Sequence, residues 1–222
     1  MLSAKTYAVS EKFKSVQGEG VYAGTQMAFI RFAGCSVGKT VCHNCDTDFE
    51  EMHSFRGGGK FFVNELVEWC RGYNHVCLTG GEPLNQDLEA LVVGFGEQKP
   101  MFHIETSGTI LLPKWIPSHS TLDRLRYWVT VSPKPGWTKQ TIRECDEIKV
   151  IVPGLADDGT TSGAWPSLND AKLWAHDKPV FLQPRNGKFD IDKANLKFCI
   201  DACNENPELR LSVQMHKILG VQ

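Results

Sequence analysis

Short apolar runs rich in β-branched and aromatic residues alternate along the chain with segments whose apolar positions recur every three or four residues. The first pattern reads as strand and the second as helix, so the succession predicts βα units around a sheet of parallel strands. Strands are predicted at Met27–Phe32, His75–Thr79, Met101–Thr106, Trp128–Ser132, Glu147–Val152, Pro179–Gln183 and Leu209–Gln214. Glu65–Arg71 places Leu66, Val67, Trp69 and Cys70 on one helical face, and Leu88–Phe95 does the same with Leu88, Leu91, Val92 and Phe95. Ser167 and Asp170 are spaced as a capping box opening a helix through Trp174, and Asp192–Cys203 forms a last helical stretch. The segment Asp48–Phe62, with glycines at 57 to 59, has no usable period and is expected to be a mobile loop. Neither a repeat nor a domain boundary interrupts the pattern. The expectation is a single α/β domain over residues 1–222, built as a partial (β/α) barrel of parallel strands.

Composition narrows the class of partner. The chain is 41% hydrophobic and 23% charged, which suits a globular core. Lys plus Arg number 24 against 26 Asp plus Glu, a net charge of −2. That balance argues against direct nucleic-acid binding or an anionic membrane as the main partner, and favours a small molecule. No apolar run approaches the roughly 20 residues of a spanning helix, and Met1–Lys5 opens no signal peptide, so the expected location is cytoplasmic. Eight cysteines at irregular spacings in such a chain read as reduced thiols or metal ligands rather than disulfides. Cys70, Cys77, Cys145, Cys199 and Cys203 lie among apolar or helical residues and are read as structural.

The residues with chemistry fall at or just after the predicted strand ends: Gly34-Cys35, Gly80-Gly81-Glu82, Glu105-Thr106-Ser107, Ser132-Pro133-Lys134, Gln183-Pro184 and Gln214-Met215-His216. In a barrel of parallel strands such ends share one rim, which points to an enzyme. Six residues separate Cys35 from Cys42 and two separate Cys42 from Cys45, so one loop offers three thiols. A structural zinc takes four protein ligands, whereas three cysteines leave one iron of a [4Fe–4S] cubane open to S-adenosylmethionine (SAM). A zinc site completed by His43, His53 or a distant cysteine fits the three cysteines about as well. Thr79-Gly80-Gly81-Glu82-Pro83 tips the balance: glycines let a ligand approach the backbone, and a carboxylate can accept from the SAM ammonium.

These motifs resemble the 7-carboxy-7-deazaguanine synthase family of radical SAM enzymes. Phe13-Lys14-Ser15-Val16-Gln17-Gly18-Glu19-Gly20 resembles the family's opening loop, and Phe29–Cys35 its first strand and first cluster ligand. Cys45-Asp46-Thr47, Thr79–Pro83, Glu105–Gly108, Ser132–Lys134, Gln183-Pro184 and Gln214–Lys217 follow in family order. The resemblance implies conversion of 6-carboxy-5,6,7,8-tetrahydropterin to 7-carboxy-7-deazaguanine with loss of ammonia, in deazapurine biosynthesis of the queuosine type. It implies a radical SAM fold, a [4Fe–4S] cluster on Cys35, Cys42 and Cys45, reusable SAM, and Mg²⁺ on Thr47. It also implies a homodimer and a flavodoxin- or ferredoxin-like electron donor. Residue by residue, Asn44, Asp46, Glu82, Gly108, Ser132, Pro133, Lys134 and Gln183 would hold SAM. Val16, Gln17, Gly18, Arg31, Thr106 and His216 would hold substrate. Two departures stand out: the common radical SAM loop has three residues between its first two cysteines, and the residue before the last cysteine, often aromatic, is Asn44 here.

The side chains suit several of these roles. Arg31, beside Phe29, Ile30 and Phe32, can grip a carboxylate bidentately. Gln17 and Glu19 can read the donor–acceptor edge of a pterin, and Lys134 can neutralise the SAM carboxylate. The competing readings are a radical SAM activase of glycyl-radical enzymes and a non-enzymatic zinc-binding interaction module. The first gives no reason for Gln17-Gly18-Glu19 or Cys45-Asp46-Thr47, and the second needs a fourth ligand.

Overall fold

The computed structural model describes residues 5–42, 45, 47–119, 121–152, 165–185 and 192–221. The chain divides into two compact units, residues 1–15, 26–106 and 112–129 in the first and 16–25, 107–111 and 130–222 in the second.

The first unit contains β1 (Thr6–Val16, through Ser15), β2 (Gln26–Phe32), β3 (Gly59–Phe62), α1 (Val63–Trp69), β4 (His75–Gly80), α2 (Glu89–Gly94) and β5 (Met101–Thr106). Its strands run in the order β3-β1-β2-β4-β5. β2, β4 and β5 are parallel, with Ile30 opposite Leu78, and Leu78 opposite Ile104. All three side chains are fully buried, each contributing about 1.5–3 kcal/mol of burial. α1 buries Val63, Leu66 and Val67, the spacing that puts one helical face on a core. It packs against α2 so closely that a Cβ on Gly94 would collide with Val63 Cγ1.

Two of these strands depart from the pattern. β1 buries Tyr7 and Val9 but also Ser10 and Glu11, so its polar positions break the alternation that marks a strand. The aperiodic segment 48–62 carries a 3₁₀ turn at Ser54–Arg56 and then β3, antiparallel to β1 with Tyr7 opposite Phe61.

The second unit contains the last two residues of β6 (Tyr127–Val131), then α3 (Lys139–Glu144), β7 (Glu147–Val152), α4 (Leu168–Trp174), β8 (Val180–Pro184), α5 (Lys193–Glu205), β9 (Arg210–Leu211) and α6 (Met215–Leu219). β6, β7, β8 and β9 are parallel neighbours in that order. α4 opens on the expected capping box: Ser167 Oγ accepts from Asp170 N at 3.0 Å, and Asp170 Oδ2 accepts from Ser167 N at 2.8 Å. Lys178 Nζ closes α3 by donating to the carbonyls of Ile142, Arg143 and Cys145 at 2.7, 2.9 and 2.7 Å. β9 is shorter than the predicted Leu209–Gln214, because the chain leaves β8 after Ser212 N meets Leu182 O and turns into α6 at Met215. The α/β class with mostly parallel strands is as predicted. Among the described residues no helix is long and apolar enough to cross a membrane.

Candidate functional site

In the first unit, the cysteine loop and the Gly-Gly-Glu turn are joined through their backbones. Arg31 and Phe32 of β2 lie opposite Thr79 and Gly80 of β4, so both strands end together. Beyond that point Gly81 N donates to Phe32 O at 3.2 Å, Glu82 N to Gly34 O at 3.0 Å, and Gly34 N to Phe49 O at 2.8 Å. A Cβ on Gly80 would come within 2.5 Å of Phe32 O, and one on Gly81 within 2.7 Å of Cys35 Cβ. Two glycines are therefore required for the β4 end to lie flat against the start of the cysteine loop. Further along that loop, Cys42 N donates to Gly38 O at 3.1 Å and Cys45 N to Cys42 O at 2.9 Å. Cys35 and Cys42 are half-buried and Cys45 is exposed.

Glu82 is fully buried; its Oε1 accepts from Thr106 Oγ1 at 2.8 Å and from Leu84 N at 3.1 Å. This links Glu82 of the glycine turn to Thr106 at the end of β5, two predicted site residues. Arg31 Nε donates to Glu11 Oε1 at 2.8 Å and Nη1 to Thr47 Oγ1 at 3.2 Å, with the guanidinium 5.8 Å from the Phe13 ring centroid. Phe13 in turn stacks on Phe29 at 4.9 Å.

In the second unit, Gln17 N donates to Thr25 O and Gly24 N to Gln17 O, each at 2.8 Å, which closes the loop that Val16 enters. Met215 N donates to Gly18 O at 3.1 Å, and a Cβ on Gly18 would collide with the His216 ring. Gln17, Gly18 and His216 are thus brought together. Gln183, 3% exposed, accepts through Oε1 from Ser212 Oγ at 3.1 Å. Ser132 Oγ donates to Lys149 O at 3.1 Å, and Lys134 Nζ donates back to Ser132 O at 3.0 Å and Oγ at 3.2 Å. Lys134 N donates to Ser107 O, and Thr138 N to Gly108 O, so Ser132-Pro133-Lys134 and Gly108 form one neighbourhood. Gly108 holds a φ of +76°, left-handed backbone that a side chain would strain. Asn44 and Asp46 lie outside the described residues.

No family model matches the chain. Among curated proteins it is 34% identical to the 7-carboxy-7-deazaguanine synthase of Bradyrhizobium diazoefficiens, over 98% of this chain and 100% of that protein. It is 33% identical to the synthase of the same name from Bordetella pertussis, over 97% and 99%. The chain belongs to the 7-carboxy-7-deazaguanine synthase family. Among solved structures it is similar to QueE from Escherichia coli, with a TM-score of 0.68, 27% identity and 94% of both chains covered.

For a member of the 7-carboxy-7-deazaguanine synthase family the decisive donor set is sulfur. None of the eight cysteines forms a disulfide. Burial pushes the thiols of Cys70, Cys145 and Cys199 up to about 12 and raises that of Cys203, while Cys77 is fully buried. Those five are packing residues, as their apolar settings predict. Cys35, Cys42 and Cys45 share one accessible loop, and as a set of three sulfur donors they fit a cubane with one open iron. Among the described residues no group of three or more His, Cys, Asp or Glu side chains is already drawn together as a metal site, and His53 is paired with Asp48 at 3.0 Å.

Three residues that a sequence reading passes over hold predicted site residues or their neighbours: Glu11 in the first unit, and Glu147 and Lys149 in the second. Glu11 anchors Arg31. Glu147 Oε2 accepts from Val21 N at 2.7 Å, and Lys149 Nζ meets Glu19 Oε2 at 2.6 Å. Burial alone would raise the Glu19 carboxyl, but Lys149, with His216 and Gln214, more than offsets this and holds it well below the usual carboxylate range. The signal available in sequence was Glu147-Ile-Lys149, two charges on one face of a strand otherwise wholly apolar.

Proposed function

We propose that this chain converts 6-carboxy-5,6,7,8-tetrahydropterin to 7-carboxy-7-deazaguanine with loss of ammonia, in deazapurine biosynthesis. The observation that supports it most is the backbone junction in the first unit, where Gly81 lies against Cys35 and Glu82 N is tied to Gly34 O. That junction places the carboxylate-bearing turn beside the three-thiol loop, which a zinc module would not need. When bound, a [4Fe–4S] cluster and SAM supply one-electron chemistry that none of the twenty side chains can supply. Cys35, Cys42 and Cys45 hold the cluster, and Glu82 accepts from the SAM ammonium group. Ser132, Pro133, Lys134, Gly108 and Gln183 serve the other polar groups of SAM.

Arg31 binds the substrate carboxylate. Glu11 and Thr47 take one N–H each of a guanidinium that has five, and Glu11 and the Phe13 ring keep the group in place. Thr106, which donates to Glu82, also holds substrate, as do Val16, Gln17, Gly18 and His216. Thr47 Oγ1 accepts from Arg31 and keeps a second lone pair, so it can give one oxygen to Mg²⁺ while substrate and water supply the rest. The working form is a homodimer in the cytoplasm, reduced by a flavodoxin- or ferredoxin-like protein; the absence of disulfides among eight cysteines suits that compartment.

The test is turnover by anaerobically reconstituted protein with SAM, a chemical reductant, Mg²⁺ and the carboxypterin. Mass spectrometry should show 7-carboxy-7-deazaguanine, ammonia release and SAM regenerated at the end of each cycle. Reductive cleavage of SAM without any deazaguanine product refutes the reading.

A further inference from the structure

We propose that Lys149, on β7, is a positioning residue for substrate recognition: acting through Glu19, it sets where the loop Val16–Thr25 presents Gln17 and Gly18 to the carboxypterin. The inference rests on the substrate reading above and adds to it a residue that acts through Glu19.

The loop is closed at its neck by the paired backbones of Gln17, Gly24 and Thr25. Its tip is held by residues of its own unit, from β7 and from the segment 212–216. Glu147 and Lys149 are two apart on β7 and so project to the same side. Glu147 Oε2 takes Val21 N at 2.7 Å, and its Oε1 accepts from Thr130 Oγ1 at 3.1 Å, which fixes the carboxylate before the loop reaches it. Lys149 Nζ takes Glu19 Oε2 at 2.6 Å, and Gln214 Nε2 donates to the other oxygen at 3.0 Å. Gly20 N donates to Ser212 Oγ at 3.3 Å, and Met215 N to Gly18 O at 3.1 Å. Glu19 N donates to Gln17 Oε1 at 3.1 Å, so the seat of Glu19 decides which way the Gln17 amide is turned.

The seat is close-fitting. A Cβ on Gly18 would collide with His216 Nδ1, and one on Gly20 with Glu147 Oε1. Packing against the ring and backbone of His216 explains Gly18, whereas Gly20 is required by its left-handed φ of +68° as well as by the Glu147 carboxylate beside it. Lys149 itself is 5% exposed. A buried ion pair is a poor means of stabilisation, because an apolar pair of similar volume is often as good; what it supplies is a directed, single geometry. Recognition of a heterocyclic edge needs that, since donors and acceptors misplaced by a few tenths of an ångström no longer pair.

The carbonyl of Lys149 also accepts from Ser132 Oγ, but a side-chain substitution leaves that bond in place. SAM affinity is therefore the internal control. The experiment compares the full-length reconstituted enzyme with Lys149→Met, Lys149→Arg and the double variant Lys149→Met/Glu19→Gln. Iron content, thermal midpoint, SAM affinity, kcat and KM for the carboxypterin are measured for each, together with equilibrium binding of oxidised 6-carboxypterin as a stable probe. Losing a directed charge-assisted bond should raise KM and the probe Kd by about tenfold or more in Lys149→Met, with iron and SAM affinity unchanged. Lys149→Arg should recover most of this. The double variant, which removes the stranded charge, should regain thermal stability without regaining KM. If Lys149→Met does not fold, the other two variants make the same comparison. A lower thermal midpoint with unchanged KM, a parallel loss of SAM affinity, or full recovery of KM in the double variant would each overturn the proposal. Wild-type protein that binds SAM but ignores the carboxypterin overturns the substrate reading and this proposal with it, whereas normal wild-type turnover with unchanged KM in Lys149→Met overturns this proposal alone.

Discussion

His103 makes this fold sensitive to mild acid. It sits on β5 at 2% exposure, with its Nε2 2.9 Å from Nδ1 of His75 on β4. Burial, and secondarily the neighbouring His75, push its imidazole down to about 3. An unfolded histidine titrates near 6.5, so the native side chain stays neutral where the unfolded one takes a proton. A depressed histidine leaves stability intact above the unfolded value and removes it as pH falls from about 6.5 towards the native value. Between pH 7 and pH 5 the loss from His103 alone is about 2 kcal/mol. For a chain of this length that corresponds to a fall of roughly 4–8 °C in thermal midpoint. The assay is thermal unfolding by circular dichroism at pH 7 and pH 5, on wild type and His103→Gln prepared identically. The variant keeps a nitrogen donor for His75 but cannot titrate. It should be less stable at pH 7, because the smaller side chain packs less well, yet lose roughly 4–8 °C less than wild type on going to pH 5. Equal losses in the two proteins would refute the argument.

Alanine at Cys35, Cys42 or Cys45 should abolish bound iron and acid-labile sulfide, whereas Cys199→Ala/Cys203→Ala, both on α5, should keep iron and sulfide in elemental analysis of the folded protein. Glu82→Gln keeps an oxygen for Leu84 N and Thr106 Oγ1 but loses the charge; its SAM Kd, read by equilibrium dialysis, should rise about tenfold to a hundredfold, for about 1.5–3 kcal/mol, with iron unchanged. Initial rates across a Mg²⁺ series should show a blunted response in Thr47→Ala and a largely retained one in Thr47→Ser, which still offers an oxygen.

The strands β2, β4, β5, β6, β7 and β8 are legible because each is a mostly apolar run closed by Gly, Pro or Ser. β1 and β3 are not, and the reason is specific. β1 carries Ser10, Glu11, Lys12 and Lys14, whose partners lie far along the chain: Ser10 Oγ reaches Asp48 O, Glu11 reaches Arg31, and Lys12 Nζ lies 4.3 Å from the Phe61 ring centroid. A polar residue satisfied from a distance looks, in sequence, like a solvent-facing one. Motifs fare better than their reasons. Thr79–Pro83 is recognisable as a pattern, but that Gly81 is needed for contact with Cys35 follows only from the register of β2 against β4. Glu19 shows the limit from the other side. As a sequence position it reads as a pterin-facing acceptor, yet both of its oxygens are engaged by Lys149 and Gln214, residues 130 and 195 positions away.

Burial also bears on the proposed cluster site, because it divides the eight cysteines by their access to solvent. A thiol near 12, as at Cys70, Cys145 and Cys199, is thiolate in only about one molecule in ten thousand at pH 8, whereas an ordinary cysteine near 8.5 is about a quarter thiolate there. Thiolate is the form that ligates iron and attacks disulfides, so burial disfavours competing ligation and stray oxidation at these positions. The same burial contributes packing, since each of these sulfurs fills apolar space beneath a helix or at its end. The fold thus withdraws Cys70, Cys145 and Cys199 from solvent while Cys35, Cys42 and Cys45 stay accessible. Cys35, Cys42 and Cys45 lie on a segment whose neighbouring backbone contacts run through Gly34, Gly38 and Phe49 rather than through a packed helix, and they stay half-buried or exposed, as the proposed cluster requires.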